Sequence, residues 1–464
     1  MRAFFRYLFN KDNFLILLFT AVVALAVQSI NLNFDALNPL EKMFGDFDMT
    51  DVYFSQIRNT KTKKEAAIIT DAKADERIIV VNIGGAEGGR KRITDLLNVI
   101  NQYEPNCVGV DAFYTSYKTD SIMGPINAEL EKAFKNTKNL VMAAEARFSE
   151  KTIEKVRSDD DYKPVFDSLR LSHPNFMEGA QKGLVNLITE ATRDNIERTD
   201  LAGGLATCRT FSPREKINGV EYLAFGVKLA QIYNPKVVDN FLKRGKEVEF
   251  INYYGNYEKF GYINYYQLFE MADAAQEGDE GAKEALKNLF KGKIVLLGFT
   301  GVEDIHKVTS DEDRFYTPLN ENYVGKAERD MYGIHIHANI ISMILNQDYI
   351  DTMPEWLDYL VVFFIAYFTT ALFVFLHAKL DFWYDGLSIL VQFLLSVLVV
   401  FAILEVFAEF QMKVDWRLGF LAIVFIPNLV EVYYGAITKL YERRQRIRRL
   451  KNKQVATLGV EDTP

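Results

Sequence analysis

The chain has 464 residues, 49% of them hydrophobic and 25% charged, with a formal net charge of −8. Its 11 Pro and 27 Gly exclude a collagenous or low-complexity chain, its two Cys exclude a disulfide scaffold, and the apolar fraction excludes intrinsic disorder. The length allows roughly two to four domains.

No charge interrupts Asn13 to Phe34, about the length of one helical bilayer crossing. This predicts a cytoplasmic N-terminus over 1–13 and a first transmembrane helix over 14–33. A cleaved signal peptide is the alternative, because Ala24-Leu25-Ala26 has the small-x-small pattern of a cleavage site. A water-facing domain follows over 34–355. Within it, IIVVNI from Ile78, a glycine loop holding Gly84, Gly85, Gly88 and Gly89, and RITDLLNVINQY read as strand, loop and helix. CVGVDAFY from Cys107 is a second strand, AELEKAFKN a helix and NLVMAAEARF a third strand. Ser149 to Lys182 is a polar excursion. Further strands are expected at GLVNLI from Gly183, EFINYY from Glu249 and KIVLLGF from Lys293, then a helix from about His335 to Asn346. Alternation of strands and helices gives an α/β domain with a mainly parallel sheet.

Three more apolar segments predict transmembrane helices over 356–378, 386–407 and 417–438, four in all, before a basic cytoplasmic tail over 439–464. Orientation follows from Lys and Arg next to the spans. Arg2, Arg6 and Lys11 precede the first, and Lys439, Arg443, Arg444, Arg446, Arg448, Arg449, Lys451 and Lys453 follow the last. Both termini are therefore expected inside and the large domain outside. Trp356, Trp383 and Trp416 flank spans, where indole rings sit at the headgroup level. The two ends carry +2 and +5, which leaves −15 for the remainder. An acidic outer surface argues against nucleic acid as a partner, and no cofactor motif is present.

The ordered set TDVYFSQIR (Thr50 to Arg58), ERIIVVNI, GVDAFY, GLVN, RDNIER (Arg193 to Arg198), INYYG (Ile251 to Gly255), GKIVLLGFTG (Gly292 to Gly301) and GIHIHAN (Gly333 to Asn339) resembles the CHASE type 2 sensor domain. That family is an extracytoplasmic module of bacterial receptors, framed by one span before it and three after it. The resemblance implies a domain in the periplasm, held in the inner membrane. In the family the last spans lead into a cyclase or kinase; here about 26 residues follow, so the expected output comes from a separate partner. Departures are Asn82 where the family usually has an acid, His335 where it often has Glu, and Asn195 where it often has Gly. The segment IHKVTSDEDRFY after Asp304 reads as lengthened.

Candidate site residues follow from position. Asp111 ends the second strand, and Thr300 and Asp304 follow the KIVLLG strand, where open α/β sheets bind ligands. Arg90, with Lys91 or Arg92, stands at a glycine loop opening a helix, a place for an anion or simply a flexible connection. His306, His335 and His337 with Asp304 offer a zinc donor set, but His-x-His shares a face only on a strand. For His337 a structural hydrogen bond with Asn339 is the competing expectation. Cys107 and Cys208 could pair in an oxidising compartment, with two separate buried thiols as the favoured expectation. Pro427, Asn428 and Glu431 interrupt the last span as a candidate coupling element or, with Glu405, an ion path; Glu431 reaching water at the inner interface is the plainer reading. The tail arginines Arg443, Arg444, Arg446, Arg448 and Arg449 are expected to hold anionic membrane lipids. No nucleophile elbow is present, so the chain is read as a non-enzyme: a membrane receptor that relays a ligand or an envelope protein to a protein partner, with a homo-oligomer as a further expectation. A scaffold subunit of an envelope complex is the alternative.

Overall fold

The structure, a computed structural model, describes residues 7–29, 48–58, 75–85, 89–158, 165–187, 207–301, 313–320, 328–380, 383–415 and 417–458. The chain forms two units, residues 39–350 and residues 1–38 with 351–464.

In the first unit, β1 (Asp75–Asn82) is buried along its last five residues, as a continuous apolar run requires when both sheet faces are covered. The loop after it turns at Gly84, whose φ of +67° suits glycine, and leads into α2 (Gly89–Asn101); α1 belongs to the second unit, below. Ile93, Leu96, Leu97 and Ile100 fall on one face of α2 and pack on Ile79 and Val81. Then follow β2 (Cys107–Val110), α3 (Met123–Asn136) and β3 (Leu140–Arg147). The polar excursion contains a helix at Glu150–Ser158 and β4 (Ser168–Arg170), which runs antiparallel to the end of β3, before β5 (Gln181–Leu184) runs parallel to β3. After α4 (Phe225–Tyr233), β6 (Phe260–Asn264), α5 (Tyr265–Gln276), α6 (Glu280–Phe290) and β7 (Ile294–Gly298), the unit closes with α7 (Gly333–Asn346).

The parallel strands lie in the order β6-β1-β7-β2-β3, with β5 also pairing β3. One sheet face is covered by α2, α3, α5 and α6 over a single apolar core. The other carries α4 and α7. Gly109 permits this second layer, since a Cβ there would stand 2.6 Å from Phe225 Cζ and 2.7 Å from Leu229 Cδ1. Helix α7 is buried on all sides from Gly333 to Leu345, the pattern of a helix inside a core. It starts two residues before the expected His335.

EFINYY departs from expectation. Only Glu249–Phe250 is a strand, paired antiparallel with Thr210–Phe211 outside the main sheet. The physical reason is a side-chain partner in place of a strand: Asn339 accepts from Tyr254 N at 2.7 Å and donates to Gly255 O at 2.9 Å. The sheet edge beside β1 is β6, which the sequence reading passed over.

The second unit comprises α1 (Lys11–Ser29), α8 (Glu355–Leu380), α9 (Tyr384–Phe410) and α10 (Arg417–Leu458). Three stretches, Glu355–Leu380, Tyr384–Phe410 and Leu418–Gln445, are long and apolar enough to cross a membrane. Ile16, Phe373, Val374, Tyr384, Ile426 and Val430 share a buried core. Pro427 lies inside α10 and withholds the N–H that would reach the Ile423 carbonyl. Gln392 of α9 supplies the missing donor, with Nε2 at 3.4 Å from Ile423 O and 2.5 Å from Val424 O. Tyr384 Oη donates to Pro427 O at 3.1 Å.

Candidate functional site

Strands β1 and β7 are neighbours, yet the chain leaves β1 toward α2 on one sheet face and leaves β7 toward α7 on the other. Connections diverging to opposite faces open a crevice at the C-terminal strand ends. Polar side chains gather there. Asn82 ends β1 and is 2% exposed, and its amide is fully engaged. Nδ2 donates to Asn264 Oδ1 at 2.8 Å and Gly301 O at 3.1 Å, while Oδ1 accepts from Gly84 N at 3.0 Å and Thr300 N at 3.1 Å. One side chain thus ties the ends of β1, β6 and β7. Tyr262 Oη donates to Asn264 Oδ1 at 2.9 Å and lies 3.0 Å from Thr300 Oγ1. Each group in this chain finds a partner, which buried polar atoms require.

Asp111 stands at the end of β2, its N–H donating to Leu297 O of β7 at 2.9 Å. Its half-buried carboxyl makes no side-chain hydrogen bond among the described residues, and burial pushes it up to about 7. Thr300 is therefore joined to Asn82, Tyr262 and Asn264, and Asp111 stands at the end of the strand on the other side of β7 from β1. Asp304, His306 and Asn195 lie outside the described residues.

A search with protein-family descriptions matched the CHASE2 domain over residues 16–371. The chain belongs to the CHASE2 domain family. CHASE2 domains are extracellular sensory modules rather than catalytic ones. The match extends from within α1 to within α8, so the CHASE2 frame takes in apolar helices as well as the sheet domain. Searches of curated proteins and of solved structures found no match.

Elsewhere in the CHASE2 domain the two arginines of the glycine loop are already engaged. Arg90 donates to Asn127 Oδ1 and to Ser116 O at 2.8 Å, and its guanidinium lies 5.5 Å from the Phe176 ring centre. Arg92 donates to Ile83 O at 2.8 Å and Gly85 O at 2.9 Å, over the Tyr265 ring. His335 and His337 are buried two residues apart on α7 and so point away from each other. The His335 ring centre is 6.2 Å from that of Tyr262, and the His337 ring centre 5.2 Å from that of Phe225. Burial depresses both imidazoles to about 3. Asn339 binds backbone at Tyr254, Gly255 and His335, not the His337 ring. Among the described residues no three His, Cys, Asp or Glu side chains converge on a metal position. Cys107 and Cys208 are free and buried, and burial lifts both thiols to about 12.

Tyr262 and Asn264 are site residues that sequence reasoning missed. The signal was there: FGYINYY alternates polar and apolar positions at the start of a helical pattern, placing residues 262 and 264 on one strand face.

Proposed function

We propose that this protein is a membrane receptor whose extracytoplasmic CHASE2 domain binds a ligand, or a segment of an envelope protein, at the strand-end crevice. It then relays the bound state to a separate output partner. The observation that carries the reading is the Asp111 carboxyl, at the end of the strand next to β7 and with no side-chain partner of its own among the described residues. Asp111 is the acceptor for a ligand bearing amine or hydroxyl donors, and Thr300 and Tyr262 read its position. Arg90 steadies the loop after β2 rather than meeting the ligand. The frame is four spans, 14–33 included, with both termini in the cytoplasm, the large domain in the periplasm and the inner membrane as its site. Tail arginines hold anionic lipid.

The relay needs two arrangements that bind the ligand unequally. Eight residues separate the end of α7 from α8, so α7 is the element whose movement reaches the spans. The test is a thermal-shift screen of amine and polyol compounds on the full-length protein, repeated with Asp111→Ala and Thr300→Val. Hits that stabilise wild type and lose their effect in Asp111→Ala support the site. Hits that stabilise all three proteins alike remove it. If cysteine crosslinks between α8 and α10 are the same with and without a saturating hit, the relay is lost.

A further inference from the structure

Helix α10 carries an unusual outer face. Its inward residues Ile423, Ile426 and Val430 are buried in the bundle. The opposite side presents Leu421, Phe425, Asn428, Val432 and Gly435, all exposed, at alternating spacings of four and three. That is the heptad rhythm of a left-handed helix pair, and it places Asn428 at the centre of the stripe. Asn428 lies about 15 Å from either end of the 417–438 segment at ~1.5 Å per residue, which is mid-bilayer depth. Its described contact is a long one, Nδ2 to Val424 O at 3.5 Å, so the amide oxygen and the second N–H have no partner among the described residues. Glu431, also exposed, flanks the stripe one turn on. Such groups are costly against lipid and find partners on neighbouring helices.

We infer that this face docks a second copy of the same chain, with Asn428 paired to Asn428 of the partner. The occupant follows from the chemistry. A carboxamide is both donor and acceptor, hence complementary to itself across a two-fold axis. Copies inserted with the same topology bring residue 428 to equal depth in a parallel pair. At Gly435 a Cβ would meet nothing within 4 Å, so the bare backbone there leaves room for close approach of a second helix. The inference stands apart from the ligand reading, because it uses only α10.

The experiment places full-length protein, labelled with donor and acceptor fluorophores, in phosphatidylcholine–phosphatidylglycerol vesicles and follows energy transfer as lipid dilutes it. Wild type pairs reversibly. Asn428→Val weakens pairing roughly 3- to 30-fold, the range for an intramembrane side-chain hydrogen bond, Gly435→Leu weakens it as well, and Ile437→Val leaves it unchanged. Melting temperatures check that the bundle is intact. Independently, Val432→Cys forms a disulfide with its copy under mild oxidation, and the buried Val430→Cys does not. The inference is overturned by monomers at every dilution, by pairing indifferent to Asn428→Val, by a crosslink through position 430, or by Val432→Cys reacting in native membranes with a different protein and never with itself.

Discussion

Asp111→Asn isolates the carboxyl on which the proposed site depends, because Asn keeps the shape and removes the ionisation. In the folded protein burial holds this carboxyl at about 7, against about 3.9 in an unfolded chain. The folded state therefore binds the proton more tightly than the unfolded one. Its contribution to stability is fully present below pH ~4 and is lost as pH rises through 7. Three pKa units correspond to a ceiling of ~4 kcal/mol, and the half-buried position of the side chain brings the expected effect to about 1–3 kcal/mol. Asp111→Asn should gain about 1–2 kcal/mol of that relative to wild type between pH 5 and pH 8.5, the remainder of the change falling below pH 5. The assay is hydrogen exchange of the β2 and β7 amides in full-length protein, converted to opening free energies after correction for intrinsic rates. A difference between the two proteins that stays flat within about 0.5 kcal/mol across that range would refute the reasoning. It would mean that water or a partner already solvates the carboxylate.

Three further outcomes follow from the same interactions. His335 and His337 are depressed to about 3, so their contribution is present above pH ~6.5 and lost on acidification; at pH 5 each should cost about 2 kcal/mol, read as faster exchange of the α7 amides, and protection that holds steady from pH 7.5 to 5 would contradict it. Asn82→Ala orphans the N–H groups of Gly84 and Thr300 and should cost about 2–5 kcal/mol, whereas Asn264→Ala leaves both bonds in place and should cost less; equal melting temperatures for the two variants would deny Asn82 its central role. Gln392→Leu removes the donor to the Ile423 and Val424 carbonyls and should lower the melting temperature in detergent by the equivalent of about 0.6–2 kcal/mol; a variant that melts with wild type would show that other donors serve these carbonyls.

Periodicity made most of the sheet domain legible. IIVVNI, CVGVDAFY, NLVMAAEARF and KIVLLGF all became parallel strands because each buries both faces, and a run of β-branched residues between glycines has few other uses. EFINYY carried the same local signal and still failed. What decided it was Asn339, distant in sequence, whose amide takes the backbone bonds that a neighbouring strand would have made. The edge position beside β1 then fell to FGYIN, whose glycine and asparagine gave a weaker strand signal. Its Gly261 is needed there, because a Cβ would stand 2.3 Å from Ile79 Cδ1.

The candidate site was legible at single residues and illegible as a network, and the reason is physical. Asp111 and Thr300 are identifiable because strand ends are identifiable. Asn82, read only as a departure from the family's usual acid, joins Thr300 and Asn264, and no local propensity marks which distant partner a buried amide will choose. The bundle repeats the lesson. Pro427 announces itself in sequence, whereas the group that answers it, Gln392, looks like one of a few polar residues scattered through an apolar span. Both cases obey one rule: a buried polar group must be satisfied, so each interruption of an apolar pattern implies a partner elsewhere. Asn82 and Pro427 have theirs within the chain, and Asn428, exposed on α10 with half of its amide unmet among the described residues, is the interruption whose partner the proposed second copy supplies.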